Sequence, residues 1–268
     1  MQTLSFKIAR KLSSKEIRKK IRLELYNNHT SGLAADKLQA NIVILPVEYE
    51  NDFYKFCNSN PKACPLVGQT KLNHPYFDTL GDDIDIRSDV PLYNVYKNGD
   101  LVTSVRNIKK YWNDSFIAFA IGCSFSFEDA LLNAGLEIDH ITNNKVVPMY
   151  RTNIKNKKSG PFNSKMVVSM RIFNQKDIDK IKQISGKFSF AHGEPVHIGD
   201  PNKIGIDNIL NPDWGDTPRK KNDEEEYIFW ACGVTPQNAI IEARIPFCIT
   251  HTPGHMLITD ISEKSLHS

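Results

Sequence analysis

The sequence predicts an α/β protein: a mixed sheet flanked by helices, with a second, smaller α+β domain. Two short apolar runs, ANIVILP (40–46) and SFIAFAI (115–121), have the look of strands buried on both faces. Helical patterns follow both runs, as alternating strands and helices require. The chain then turns polar between 143 and 165, which predicts a main domain made of 1–113 and 188–268 with a smaller unit, 114–187, inserted or packed beside it.

In order along the chain, Ser13 or Ser14 with Glu16 forms a capping signal before Ile17, Ile21, Leu23 and Leu25, predicting an amphipathic helix that ends near Asn27 and Asn28. Pro46 closes the first buried strand. Residues 47–58 read as a helix with Phe53, Tyr54, Phe56 and Cys57 inward, stopped at Asn60-Pro61. The alternation DIDIR (83–87) predicts a strand, and Asn98-Gly99 a hairpin between Tyr93–Val95 and Leu101–Val105. After the second run, Gly122-Cys123-Ser124 breaks the strand before a helix from Phe127 to Asn133, a turn geometry that aims N–H groups and small hydroxyls at a ligand. Met166–Ile172 reads as a strand, 175–183 as a helix, and 227–249 as further strand and helix pieces. No internal repeat or low-complexity tract is evident.

A chain of 268 residues can bury about three quarters of its unfolded surface and needs no covalent staple. Its five cysteines, Cys57, Cys64, Cys123, Cys232 and Cys248, are widely spaced and lie among apolar neighbours, a pattern of reduced, buried thiols. No run approaches the roughly 18 apolar residues that span a bilayer, and the start lacks the apolar core of a secretory signal, so a cytoplasmic protein without membrane contact is expected. The net charge is only +3, and the lysines of 7–20 and 155–158 are not interleaved with aromatics, so no nucleic-acid partner is expected. A homo-oligomer remains open.

Chemistry-bearing residues crowd between 192 and 260, where four of the eight histidines fall among glycines, prolines and aspartates. His192 and His197, in HGEPVHIGDP with Asp200, have side chains that titrate near neutrality and are the expected acid–base pair. The Thr-Pro-Gly-His turn presents His255; Pro253 and Gly254 argue against a helical metal pair with His251. No cofactor is expected, although zinc on His and Asp, or magnesium on Asp200, Asp213 or Asp216, is the alternative. Ser124 and Ser126 form an anion cradle, Glu128 is either an acid–base group or a dipole partner, and Arg87, Arg151 and Arg171 compete as carboxylate clamps.

HGEPVHIGDP, PDWGD, FWACGVTPQ and ITHTPGHMLITD resemble the blocks of the D-glutamate cyclase family, many of whose bacterial members are described only as hydro-lyases. LAADKLQANIVILP, DFYKFCNSNPKACPL, LGDDIDIRSDVPLYNVYKNG, IGCSFSFEDALLNAG, MYRTNI and VVSMRIF agree in the same order, so the likeness spans almost the whole chain. It implies a small carboxylate or amino-acid substrate and a lyase reaction, the interconversion of D-glutamate with 5-oxo-D-proline and water, or the dehydration of a related amino or hydroxy acid. His192, His197, Asp200 and His255 would then be catalytic, with Arg87, Ser124, Ser126, Arg151, Arg171, Thr235 and Gln237 holding the substrate. Two other readings compete: a non-catalytic small-carboxylate-binding protein, and a hydrolase of lactams or cyclic amides acting through Cys123 or a metal-bound water.

Overall fold

The computed structural model describes residues 3–262. A short helix, α1 (Phe6–Ala9), precedes α2 (Ser14–Arg22), whose Ser13 and Glu16 form the reciprocal cap read from the sequence. The helix stops at Arg22, before the asparagines. The long strand β1 (Lys37–Pro46) runs through a 3-10 turn into α3 (Glu50–Ser59), then β2 (Leu66–Gln69), the hairpin β3 (Tyr93–Lys97) and β4 (Asp100–Val105), and β5 (Phe116–Gly122). A 3-10 turn at Ser124–Phe127 leads into α4 (Glu128–Asn133), followed by α5 (Asp139–Thr142). Next come β6 (Met149–Lys155), β7 (Lys165–Asn174), α6 (Ile178–Gly186), β8 (His197–Ile198), β9 (Glu225–Ala231), α7 (Val234–Glu242), β10 (Phe247–His251) and β11 (Leu257–Ser262).

Two sheets result, as the fold class requires: one of order β2-β5-β1-β10-β3-β4 with β11 also on β1, and one of order β6-β7-β9-β8. Every strand pairing in them is antiparallel. The smaller sheet occupies one continuous stretch from Met149 to Ala231, so it begins after residue 114 and runs past 187. β5 lies on the other side of that division because all seven of its residues are buried, and it pairs with β1 along its whole length. Residues 83–87 form turns around one isolated bridge, Asp85 to Tyr76, rather than a strand. There Asp85 and Asp89 accept backbone N–H groups from Arg87 and Asp85, a local side-chain bonding that competes with a ladder.

β1 is buried on both faces, as expected. Val43 and Leu45 face Phe53, Phe56 and Cys57 of α3, while Ala40, Ile42 and Ile44 face Phe77, Leu80 and Ile84. All five cysteines are free and buried. No helix among the described residues is long and apolar enough to cross a membrane.

The smaller sheet repeats part of the larger one, contrary to the absence of repeats in the sequence reading. β1 and β7 are each ten residues long, and each passes through a three-residue 3-10 turn into its helix, α3 or α6. In the first half Ala40 faces Gly122 and Pro46 faces Phe116; at matching positions Val168 faces Ala231 and Asn174 faces Glu225. β2 and β8 extend the same edges, with Gly68 facing Ala120 and His197 facing Phe229. On the opposite side Leu257 faces Ala40 as Tyr150 faces Val168. The Thr259 hydroxyl donates to the Leu38 carbonyl at 2.8 Å as Thr152 does to Met166 at 2.7 Å. The sequence echoes are CSFSFEDA (123–130) with CGVTPQNA (232–239), and MLITDI (256–261) with MYRTNI (149–154). The repeat escapes a search for a fixed period because it is permuted: β6 opens its half, whereas its counterpart β11 lies at the far end of the chain.

The two strand-to-helix turns are packed without slack. A Cβ on Gly122 would stand 1.6 Å from the Phe190 carbonyl oxygen, and one on Gly233 would stand 1.9 Å from the Asn41 amide. Gly122→Ala is therefore expected to destabilise the protein by about 3 kcal/mol, the upper range for overpacking, read as a lowered urea midpoint. An unchanged midpoint would mean that the 189–193 loop yields freely.

Candidate active site

Strand alternation puts Ser169, Arg171 and Phe173 of β7 on the face that meets α4 and α6, where Phe173 packs with Phe127 and Trp230. An arginine there is enclosed on all sides. Its guanidinium lies over the Phe127 and Trp230 rings, 5.2 and 5.3 Å from their centroids. Charge balance comes from α4, which crosses from the end of β5 in the larger sheet. Glu128 Oε1 accepts from Arg171 Nε at 3.1 Å and from an Nη2 proton at 2.5 Å. Arg171 also donates to the Ser124 and Ser169 hydroxyls, each at 3.1 Å.

Glu128 has two further partners. The Ser31 hydroxyl donates to Oε2 at 3.0 Å, and His140 Nε2, carried by α5, lies 2.9 Å from Oε1. All of these side chains are buried. Burial opposes the charge on Glu128, but His140 and Arg171 together outweigh it and hold the carboxyl at about 2. The result is an ionised carboxylate in a dry site, with one histidine and one arginine on the same oxygen. A crevice of about 20 Å³ opens between His140 and Arg171, rimmed by Asp139, Pro148, Met170 and Pro218.

The residues singled out in the sequence divide among several places. Ser124 and Arg171 are in the cluster. Ser126 is beside it but accepts the Gln39 N–H at 3.2 Å, and its counterpart Thr235 does the same for Val167 at 3.0 Å. Gln237, the counterpart of Glu128, donates at 3.0 Å to the His251 carbonyl and lies 2.7 Å from that ring's Nδ1. Arg151 pairs with Asp213 at 2.5 Å and stacks on Trp214, while Arg87 pairs with Asp85 at 2.9 Å.

His192, His197 and His255 have separate surroundings. His192 adopts a left-handed φ of 79°, uncommon for a residue with a side chain, and its Nδ1 lies 2.9 Å from the Lys62 carbonyl. Burial pushes its imidazole down to about 4; the Lys62 carbonyl opposes this and the nearby Arg171 charge adds to it. His197 Nε2 lies 2.8 Å from the Asp200 carbonyl, and the Asp200 carboxylate accepts from Asn202. His255 Nδ1 lies 3.2 Å from the Pro253 carbonyl, and burial lowers its pKa, with the neighbouring His29 contributing. His29 in turn lies near His140 and Glu128, and its Nε2 is 3.1 Å from Asn144 Oδ1.

Among the described residues no three His, Cys, Asp or Glu side chains form a metal-binding group. Asp200, Asp213 and Asp216 are instead committed to Asn202, Arg151 and the Val146 N–H. Burial raises the Cys123 thiol well above its ordinary range, so the thiolate that a nucleophile needs is disfavoured there. Sequence reasoning missed His140, Ser31 and Ser169. His140 lies in EIDHITNN, where no motif marks it. Ser169 and Arg171 carried a usable signal, since polar residues on one face of an otherwise apolar strand must find partners.

A family model described as D-glutamate cyclase matches residues 117–260, more than half of the chain. The chain belongs to the D-glutamate cyclase family. A protein of Dinoroseobacter shibae named "Putative hydro-lyase" is 50% identical over 248 residues, covering 92% of this chain and 82% of its own length. One of the same name from Verminephrobacter eiseniae is 50% identical over 253 residues, covering 94% and 92%. Among solved structures, a nitrogen repressor-like protein of Methanococcus jannaschii aligns over 88% of this chain and 91% of its own, at 10% identity and a TM-score of 0.38, too remote to carry an argument. The stretch matched by the D-glutamate cyclase model takes in Glu128, His140, Ser169 and Arg171; His29 and Ser31 lie before it.

The depressed histidines set an acid limit. His192 at about 4 and His251 at about 3 take up protons in the unfolded chain first, near 6.5. Their contribution to stability is thus complete above pH 6.5 and is lost as pH falls through the folded values. Stability measured by urea titration should drop between pH 6.5 and 4. His192→Asn is expected to flatten that slope. Glu128, also depressed, adds a second loss only below 4.5 as pH approaches 2.

Proposed function

We propose that the protein is a lyase that interconverts D-glutamate with 5-oxo-D-proline and water, working at the Glu128–His140–Arg171 cluster. Family membership supports the reaction class. The observation that carries the site is a single buried carboxylate oxygen shared by a histidine and an arginine beside a crevice. In the forward direction the amine nitrogen bonds to the γ-carboxyl carbon, one C–O bond breaks, and two protons lost by the ammonium leave on the departing oxygen as water. His140, facing the crevice, is the proton carrier, with the Glu128 carboxylate oxygen 2.9 Å from its Nε2. Arg171 has five N–H groups. Four of them are committed to Glu128, Ser124 and Ser169, leaving one on Nη1 for a substrate carboxylate.

At about 20 Å³ the crevice holds one water and not a glutamate, so α5 and the segments carrying Pro148 and Pro218 move aside on entry. Such chemistry fits small-molecule metabolism in the cytoplasm. The test is NMR detection of 5-oxoproline from D-glutamate, L-glutamate and the reverse substrates, with purified protein. His140→Asn and Glu128→Gln should each lose at least ~100-fold in turnover, the usual scale for a lost acid–base group. Full activity in both, with activity lost instead in His192→Ala, His197→Ala or His255→Ala, would move the chemistry to the Gly-rich loops.

A further inference from the structure

A cavity of about 620 Å³ lies away from the buried cluster, over the outer face of β6, with Arg151, Lys155, Lys165, Asn238 and Glu242 in its wall. The internal repeat shows what the matching face does in the other half. Over β11, Ile258 stands where Arg151 stands on β6, Asp260 where Asn153 stands, and Ser262 where Lys155 stands. That face is covered by α2. Ile17 and Ile21 pack on Ile258, and Arg18 donates to the Ile258 carbonyl at 3.0 Å and to both Asp260 oxygens at 2.8 and 2.6 Å. The cation comes from the covering helix and the anion from the sheet.

Among the described residues no counterpart of α2 covers β6, where α7 only edges the groove with Asn238 and Glu242, and the sheet's charges have the opposite sign. The sheet supplies Lys155 and Lys165, which face each other directly across the β6–β7 pair, an arrangement that costs energy when left uncompensated. Lys165 occupies the place of Lys37, whose ammonium donates to the Asp260 carbonyl at 3.1 Å. Among the described residues neither Lys155 nor Lys165 has an ion-pair partner. Arg151 is fixed by Asp213, Asn238 and the Trp214 ring, so its position is set before anything binds. Buried Thr152 and Ser164 complete the floor.

We infer that the groove over β6 is a binding site for a small molecule carrying two or more anionic groups, held between Lys155, Lys165 and Arg151. The ligand replaces, with opposite charge, the helix that seals the equivalent face. Phosphate and carboxylate groups share the required chemistry, and separate probes distinguish them. Purified protein is titrated by calorimetry with pyrophosphate, citrate and acetate at matched ionic strength. Saturable one-to-one binding of pyrophosphate or citrate, with none for acetate, is expected. The doubly charge-reversed Lys155→Glu/Lys165→Glu variant should weaken it at least tenfold, and Lys109→Glu/Lys110→Glu, a similar change elsewhere on the surface, should leave it unchanged. The inference is overturned if neither polyanion saturates, if binding persists in the first variant, or if the control variant weakens it equally. The readout is binding, so its failure leaves the lyase reading standing, and the reverse also holds.

Discussion

The buried contact between Glu128 and Arg171 is the constraint on which the arrangement depends. It joins an acid at the start of α4, the helix that follows the larger sheet's β5, to an arginine in the middle of the smaller sheet's β7. Two charges removed from water repay that cost only when their remaining donors and acceptors are filled. Ser31 donates to Glu128, His140 lies against its other oxygen, and Ser124 and Ser169 take two more Arg171 protons, which leaves a single Nη1 proton unmatched. Removing either partner would leave an uncompensated charge in a dry interior, a loss of several kcal/mol. The sheets are thus fixed relative to each other through the same atoms that could handle protons.

The repeat explains why this contact occurs once. Its counterpart would pair position 237 with position 43, and those positions hold glutamine and valine instead of glutamate and arginine. Where Ser124 meets Ser169, the other half has Gly233 closing against Asn41. Gln237 turns to His251, whose imidazole burial holds at about 3, so it remains neutral. One half keeps a charged centre while the other is discharged and closely packed. The fold-level repeat therefore supplies a scaffold, and the charge-bearing residues supply the candidate site.

The main fold elements were readable from the sequence because their signals are local. The β1 and β5 runs, the Asn98-Gly99 hairpin and the Ser13–Glu16 cap each sit in a few contiguous residues. Residues 83–87 read as a strand because alternation cannot register that Asp85 and Asp89 bind nearby backbone instead. The site was harder to read. Ser124 and Arg171 stood out by residue type, but histidines in Gly-Pro loops drew attention to 192–200, whereas His140 lies in an unmarked helical turn. Its place in the candidate site arises only when α5 brings it to the Glu128 oxygen that Arg171 of β7 also meets.

The same reasoning bears on why the amino-terminal helix matters to a site it does not enter. α2 seals β11 through Arg18, Asp83 and Asp260, and Arg22 continues the network to Asp89. That network anchors the edge from which the chain runs through Tyr26 and His29 to Ser31, the residue that satisfies the outer oxygen of Glu128. The Phe6 ring of α1 lies tilted against His29, with ring centroids 4.8 Å apart. An ionised carboxylate can remain buried only if every neighbouring segment is held in place, because a single missing donor raises its cost steeply. The largely buried ion pairs around α2 thus bear on the interior by fixing the segment that leads to Ser31.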